Sequence, residues 1–523
     1  MIPKLIHQTW KTDAIPDRFK AWSATWSRHN PQWQRRHWSD RALLDFVAQA
    51  FPEFLELYCS FAEGVKRADA ARYLLLYKFG GVYADIDTEC LASLDVLLDE
   101  ERVVLSLEPS THWHPIAAVR GLPHLVFNGV IASPPGHPFW LHVLERLRAN
   151  RLANNILDAT GPCLLTASCL SYQSPKSLYV APSTLFNGFD RWGVEPDPLA
   201  HEGRLARHYW EGTWLVPPTK RPVRAFIVKS VSQMAHWLLR GKYLTFDELR
   251  RTVNPACLTA APSEGDNLAI FIPVRDAVDH LAPCLALIAQ LDIPKHHIKL
   301  VFCEGDSVDG SWAELQKLVE PLRKDYRDIV LLQKVVHTRF KHADRARRLV
   351  QKQRRSGIAA VRNHMIDAGL SAADDWVLWM DVDVWSYPAD IVSTLRKTGA
   401  RIVAPHCVYR RGGTTFDLNT FITTEPKRDY LYYRWLWQGL YMPPKTSGRR
   451  LYMEDLRHSE VIPLHSVGGA MLLVDAALHR GGMRFPELPY EHLLETEGFG
   501  RLAVDLGVPM VGMPNVEVLH APW

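Results

Sequence analysis

Two apolar runs in this chain each stop on a pair of aspartates. Val82-Tyr83-Ala84 runs into Asp85-Ile86-Asp87, and the run from Asp375 to Met380 ends on Asp381-Val382-Asp383. Residues i and i+2 of a strand face the same side. At a strand end the two carboxylates can converge on one hard, oxygen-liganded cation, Mg²⁺ or Mn²⁺, that bridges to substrate phosphates. Such a strand belongs in an open, mostly parallel sheet with helices on both faces, where ligands bind at the carboxyl ends of the strands. Two such pairs, far apart in a chain of 523 residues, predict two cores rather than one. An Asp-x-Asp alone is weak, since about two arise by chance at this length, and it can simply cap a turn. The neighbouring residues therefore have to carry the reading.

They divide the chain in two. A first block, 1–216, opens with a strand at Leu5-Ile6. Helical spacing follows at Leu43, Leu44, Phe46 and Val47, then at Phe54, Leu55, Leu57 and Tyr58. A helix is predicted from Lys66 to Lys78, ended by Gly80-Gly81. A second block, 266–523, has apolar strands at Leu268 to Ile272, ended by Pro273, and at Ile298 to Phe302, ended by Glu304-Gly305-Asp306. The fold class predicted is α/β, with two Rossmann-like domains in tandem. Between them, 217–265 is linker-like at both ends. Its middle spaces Val223, Phe226, Ile227, Val231, Met234, Trp237 and Leu238 as a helix among basic residues. Such a helix either packs the domains together or lies on an anionic membrane surface. A second basic run, Arg339 to Gly357, is read as a solvated helix face or a phosphate- or lipid-binding segment.

Around the first aspartate pair, IPKLIHQTWKTDAIP, the Trp22 to Asp40 stretch and RADAARYLLLYKFGGVYADIDTECL closely resemble glycosyltransferase family 32, over about residues 2–214. That family has the GT-A fold, and more distant likeness extends to the clostridial glucosylating toxins. The resemblance implies that His7, Trp10, Asp69, Arg72, Tyr83 and Asp85 contact the nucleotide sugar, with Asn128 of NGVIASPPGHPFW near the sugar. It further implies that Asp85 and Asp87 engage the metal, and that His208 of the His208 to Trp214 element completes the metal site. An isolated histidine is as readily structural.

Around the second pair, AVRNHMIDAGL, DWVLWMDVDVWSYP, TTFDLNTF, HSVGGAMLLVDAALHRGGMRFP and LLETEGFGRLAVDLGVPMVGMPNVEVLH resemble, in order, glycosyltransferase family 62. These are the yeast-type mannan polymerase subunits, also GT-A, which use GDP-mannose. That match spans about residues 267–520. It implies that Pro273, Arg275, Glu304, Asp306, Ser307, Arg362 and Asp381 surround the nucleotide, with Asp381, Asp383 and His520 as metal ligands. Asp417 and Asn419 line the cleft, and Glu495 and Glu497 lie near the reacting sugar. Residue type alone reads Glu495 and Glu497 as a surface acidic run, because glutamate is mostly exposed.

The implied chemistry is retaining hexosyl transfer to a saccharide or lipid-linked acceptor. Each domain would use one Mn²⁺ or Mg²⁺, with GDP-mannose as donor in the second domain and GDP-mannose or a UDP-sugar in the first. No protein nucleophile is expected, since the leaving phosphate can take the acceptor proton. Three alternatives stand beside this one. One domain is active and the other binds acceptor; the chain is a phosphohydrolase; or it glycosylates a host protein. A net charge of +4 gives no footprint for nucleic acid. Eight scattered cysteines without a CxxC are read as reduced thiols. With neither a leader pattern nor a long apolar span, the expectation is a cytosolic bacterial enzyme at the inner face of the cell membrane. The many tryptophans are read mainly as packing, with some able to stack on sugars.

Overall fold

The computed structural model describes residues 1–187, 203–211, 244–337, 348–426, 448–491 and 493–521. The stretch from Val223 to Leu238 expected to be helical, Trp214 and the first half of the Arg339 run, including Arg345 and Arg347, lie outside them. The chain divides into two compact units, Met1–Thr219 with Asp455–Ser459, and Lys220–Glu454 with Glu460–Trp523.

In the first unit the strands are β1 (Leu5–Trp10), β2 (Gln34–Ser39), β3 (Gly81–Ala84), β4 (Thr88–Cys90), β5 (Val103–Leu107), β6 (Val126–Ser133), β7 (Leu178–Ala181) and β8 (Ala206–His208). The main sheet has six strands in the order β2-β1-β3-β6-β5-β7. Only β6 runs against its neighbours. β4 and β8 form a separate antiparallel ribbon. The helix Gly64–Phe79 buries Ala70, Ala71, Tyr73, Leu74, Leu75 and Leu76, so it is a core element apolar around most of its surface. Gly80, at φ 62°, ends it in a left-handed conformation that suits glycine and turns the chain straight into β3.

The second unit begins at β9 (Leu268–Val274) and continues with β10 (Ile298–Glu304), β11 (Asp328–Gln333), β12 (Trp376–Met380), β13 (Val384–Ser386), β14 (Ile402–Val408), β15 (Ile422–Pro426), β16 (Gly448–Leu451), β17 (Ile462–Pro463), β18 (Met471–Asp475) and β19 (Met510–His520). Its main sheet runs β11-β10-β9-β12-β18-β14-β19-β13, with β17 on β19. Again a reversed strand, β18, lies between two strands of the parallel set, β12 and β14, and the short β13 and β17 also run against β19. Leu300, Phe302, Leu378 and Leu473 lie in its core.

The expected fold class, two mostly parallel α/β sheets in tandem, holds. The linker reading does not extend over the whole of 217–265. From Leu244 the chain packs on the second unit: Leu249 joins Tyr490 and Leu502, and Ser263 Oγ donates to Asp475 at 3.1 Å. The polar composition there is used for capping and tethering. All eight cysteines are free. No helix among the described residues is long and apolar enough to cross a membrane.

Candidate functional site

β3 delivers the first aspartate pair to the carboxyl edge of its sheet, and β8 lays His208 opposite Thr88 of β4. Ligand atoms of Asp85, Asp87 and His208 all lie within 4.8 Å of one another, with His208 Nε2 at 3.2 Å from Asp87 Oδ1. Burial raises the pKa of Asp85 and Asp87 adds to it, against the pull of Arg72. For Asp87 burial acts in the same direction, but His208 outweighs it and the carboxyl falls below its usual range. Burial disfavours charge on His208, yet Asp87 holds it above an ordinary histidine. Two carboxylates and one imidazole, crowded at a strand end, are a donor set suited to Mn²⁺ or Mg²⁺. The buried His208 Nδ1 has no hydrogen-bond partner among the described residues.

Arg72, from the helix before β3, closes the site. Its Nη2 is 2.8 Å from Asp69 Oδ1 and 3.3 Å from Asp85 Oδ1. It also donates to the Asn128 carbonyl on β6, and its guanidinium carbon is 4.5 Å from the Tyr83 ring centroid. Asp69 is itself fixed by Thr160 Oγ1 at 2.9 Å and Asn128 Nδ2 at 3.1 Å. Burial pushes its carboxyl up to about 6, despite Arg72.

The second unit repeats this arrangement, with its aspartate pair at the equivalent strand end but its histidine on a strand of the main sheet. Asp381, Asp383 and His520 bring their ligand atoms within 4.8 Å, with His520 Nε2 at 3.0 Å from Asp383 Oδ1. Burial pushes Asp381 up to about 7; Arg362 opposes this and Asp383 adds to it. Arg362, from the helix Arg348–Gly369 before β12, sets Nη2 at 3.5 Å from Asp381 and at 3.4 Å from the Gly469 carbonyl beside β18. Its guanidinium carbon lies 5.1 Å from the Trp379 ring. Trp379 stands two residues before Asp381, as Tyr83 stands two before Asp85. Small residues permit both approaches. A Cβ on Gly129 would fall 2.9 Å from Asp85 Oδ2, and one on Gly469 would fall 2.3 Å from Arg362 Nη2.

The anchor of Arg362 is different. Its Nε bonds Glu495 Oε1 at 3.1 Å, and Glu495 is the first residue of the helix Glu495–Asp505, held at φ 54°. That left-handed backbone is unfavourable for a glutamate and is typical of positions where the surroundings dictate conformation. Glu497 takes Arg355 Nη1 at 3.0 Å and Arg450 Nη1 at 3.3 Å. Arg355 also reaches Asn419 Oδ1 at 3.1 Å. Asp417 accepts from the Ala470 and Asn419 amides, each at 3.2 Å, while burial raises its pKa.

At the ends of β9 and β10, Arg275 is half-buried, and Glu304 stands in register with Val274. Glu304 accepts from the Ser307 amide at 2.7 Å. Ser307 Oγ accepts from the Asp276 amide at 3.0 Å, and Asp306 holds the Val336 amide. Pro273 is two positions beyond Phe271, the register partner of Trp379, which puts it beside Asp381.

Several expectations change. His7 is fully buried, with Nε2 on the Gly80 carbonyl at 3.1 Å and Nδ1 accepting from Trp38 at 3.1 Å. Both nitrogens are engaged in the core, so it has no polar atom left for a nucleotide. Tyr83 is likewise buried; its hydroxyl holds Asp85 at 2.9 Å and Thr9 at 3.0 Å. Trp10 packs edge-on against Phe19 with ring centroids 5.1 Å apart. The surface reading of Glu495 and Glu497 fails, since they are 6% and 0% exposed. Arginines from distant segments make that burial possible. Sequence reasoning did not single out Thr160, Arg355 and Arg450 as site residues: the first lies in Thr160-Gly161-Pro162, the second in the basic run read as a solvated face or a phosphate- or lipid-binding segment, and the third in no motif.

Comparison with known proteins gives the same order of parts. A family model described as a glycosyltransferase sugar-binding region containing a DXD motif matches residues 16–104, and the model described as Anp1 matches residues 254–489. Mannan polymerase complex subunit mnn9 of Schizosaccharomyces pombe is 28% identical over 248 residues, 44% of this chain and 74% of that protein. Inositol phosphoceramide mannosyltransferase 3 of the same yeast is 34% identical over 172 residues, 32% of this chain. The chain spans only 44% of that relative's length. A solved mannosyltransferase from Pyrobaculum calidifontis, in complex with GDP-Man and Mn2+, aligns at a TM-score of 0.29 and 14% identity, over 57% of this chain and 68% of that one. The two matches fall in the expected order, a DXD glycosyltransferase region and then an Anp1 region. The expected bacterial source and cytosolic location are overturned, because the matching relatives are proteins of yeasts.

Proposed function

We propose, for a chain that joins a DXD glycosyltransferase region to an Anp1 region, a two-site glycosyltransferase that adds α-linked hexoses to a saccharide or lipid-linked glycan. The second site would take mannose from GDP-mannose, and the first mannose or another hexose. The two catalytic domains would be residues 1–216 and 266–523, joined by 217–265. The observation that carries this reading is the repetition of one constellation. Two carboxylates at the same strand end and an arginine from the preceding helix occur in both units, each joined by a histidine from a later strand.

In each site Asp85, Asp87 and His208, or Asp381, Asp383 and His520, would hold one Mn²⁺ or Mg²⁺, which supplies charge neutralisation for the departing diphosphate. The chain's own groups orient and exclude water. Arg72 and Arg362 lock the first carboxylate of each pair. Asp69, through Arg72, and Glu495, through Arg362, fix the guanidinium planes. Asn128, Asp417 and Asn419 line the sugar side. Pro273, Arg275, Glu304, Asp306 and Ser307 form the nucleotide side of the second site. Glu495 would face the positive charge that develops on the anomeric carbon, and a phosphate oxygen of the leaving group would take the acceptor proton. Glu497, clamped between two arginines, acts as a positioning residue.

The test is donor turnover and transfer with Mn²⁺ across GDP-mannose and UDP-sugars, in wild type, Asp87→Asn and Asp383→Asn. Each variant is expected to remove a different linkage by at least about 100-fold. If one variant leaves both linkages intact, the two-site reading fails and that unit becomes an acceptor-binding module. Phosphate release without an acceptor would instead support a phosphohydrolase.

A further inference from the structure

The carboxyl edge of the second sheet has two sides. β9, β10, β12, β14 and β19 run parallel to one another, with β18 reversed between β12 and β14, so the segments that follow all five open on the same edge. In strand order the proposed nucleotide side, β9 and β10, lies to one side of Asp381. On the other side a tight hairpin follows β14, closed by a bridge between Val408 and Thr415. Its outer residues are Tyr409, Arg410 and Arg411, all exposed, Tyr409 to 53%.

Three observations set this hairpin apart from an ordinary surface loop. First, it is pinned from below. Glu517 of β19 takes the Gly412 amide at 2.9 and 3.0 Å, and the Phe416 amide donates to the Cys407 carbonyl at 2.8 Å. Second, it connects to the candidate metal site through packed rings. Tyr409 meets Phe416 edge-on with centroids 5.1 Å apart, and Phe416 stacks on His520 at 3.7 Å and 18°. Register agrees: Val408 pairs with Leu519, which puts Tyr409 beside His520. Third, its cations are uncommitted. Arg411 donates to Ser386 Oγ at 3.3 Å, a neutral hydroxyl, and no carboxylate among the described residues pairs with Arg410 or Arg411. An exposed aromatic face beside two unpaired guanidinium groups, on a rigid turn, suits a ligand with a sugar face and an anionic group. Guanidinium matches phosphate in fork geometry, and the ring can stack on a pyranose.

We propose that Tyr409, Arg410 and Arg411 form an acceptor subsite of the second unit for a phosphate-bearing sugar, either a soluble phosphorylated saccharide or a phosphoinositol lipid headgroup. This rests on reading that unit as a glycosyltransferase. Tyr409 would stack on the sugar adjoining the acceptor hydroxyl, and the two arginines would hold the phosphate away from the reacting centre.

The test compares mannose with mannose 6-phosphate as acceptors for the full chain, in wild type, Arg410→Gln/Arg411→Gln and Tyr409→Ala. Wild type should show a KM about tenfold lower for the phosphorylated sugar. The double variant should erase that difference with the donor KM unchanged, and Tyr409→Ala should raise both acceptor KM values severalfold. Equal KM values for the two sugars in wild type, or a preference that survives the double variant, would overturn the proposal. Calorimetric binding of the same two sugars without donor separates this from the wider reading. If no donor is ever turned over, phosphate-dependent binding that the double variant abolishes still supports the subsite, and its absence overturns it. Vesicles containing phosphatidylinositol, set against phosphatidylcholine alone, distinguish a lipid headgroup from a soluble sugar phosphate.

Discussion

Asp85 and Asp381 leave their sheets at the same point, each beside an arginine from the preceding helix and each two residues after an aromatic ring. The two sites part company in what holds the arginine. Arg72 is anchored by Asp69, three residues earlier on its own helix. Arg362 is anchored by Glu495, more than a hundred residues later, on a helix whose first turn also carries Glu497. In both units the aspartate pair and its arginine are thus set by one strand end and the helix before it, while the histidine comes from a remote strand. Only in the second unit is the partner of the arginine also remote. Two units can share the former and differ in the latter, as one fold carries differently built sites.

The largest effect should come from the shared arginines. Arg72→Met and Arg362→Met should each lower transfer at their own site by on the order of 10²- to 10³-fold. Each should also destabilise its own unit by about 3 kcal/mol, because a buried carboxylate loses its partner. Separate linkage assays and urea unfolding measure both. If either variant is silent in activity, the two sites are no longer counterparts.

Next comes acid. His7 in the first unit and His479 in the second are each lowered by burial to a pKa of about 4, despite a hydrogen bond to a backbone carbonyl. Above pH 6.5 both are neutral whether folded or unfolded, so they contribute no pH dependence. Between 6.5 and 4 the unfolded chain takes up protons that the folded one refuses, so stability falls with pH, by up to about 3 kcal/mol per histidine. Asp69, raised to about 6, and Asp381, raised to about 7, work the other way in the same units, so the histidine contribution is read against His7→Asn and His479→Asn: between pH 7.5 and 4.5 wild type should lose stability relative to each variant in that variant's own unit. A loss confined to one unit would separate their cores.

A smaller effect tests the close approaches. Gly129→Ala and Gly469→Ala should each cost about 2 kcal/mol, as a Cβ meets Phe127 Cζ at 2.4 Å in one and Arg362 Nη2 at 2.3 Å in the other. Gly469→Ala should also reduce activity at the second site more than Gly129→Ala does at the first, because it displaces the arginine itself. Equal losses would mean that the guanidinium absorbs the strain.

The strands that end on the aspartate pairs, the helix closed by Gly80 and the tandem division were all readable from period and punctuation. The reversed strands β6 and β18 were not, since VFNGVIAS and MLLVD look like any apolar run and their direction is set by tertiary pairing. The fate of Glu495 and Glu497 was hidden for the same reason. Glutamate is buried only when matched, and the matching Arg362, Arg355 and Arg450 come from other elements. His7 misled in the opposite sense. A histidine at the start of a motif looks like a ligand, whereas its two ring nitrogens tie β1 to Gly80 and Trp38.

The two imidazoles at the aspartate pairs ride on different kinds of support. His520 ends an eleven-residue strand paired on both sides within the main sheet. His208 ends a three-residue strand whose ladder, among the described residues, is the β4–β8 ribbon outside that unit's main sheet. Amide hydrogen exchange at Arg207 and His208 should therefore proceed by a local opening far less costly than global unfolding, while the amides around Val518 wait for the whole second unit to open. The imidazole of the first site is thus carried by an element that can open alone, and that of the second by one that opens only with its unit; with the proposed ion at each triad, a chelator should strip the first site faster than the second.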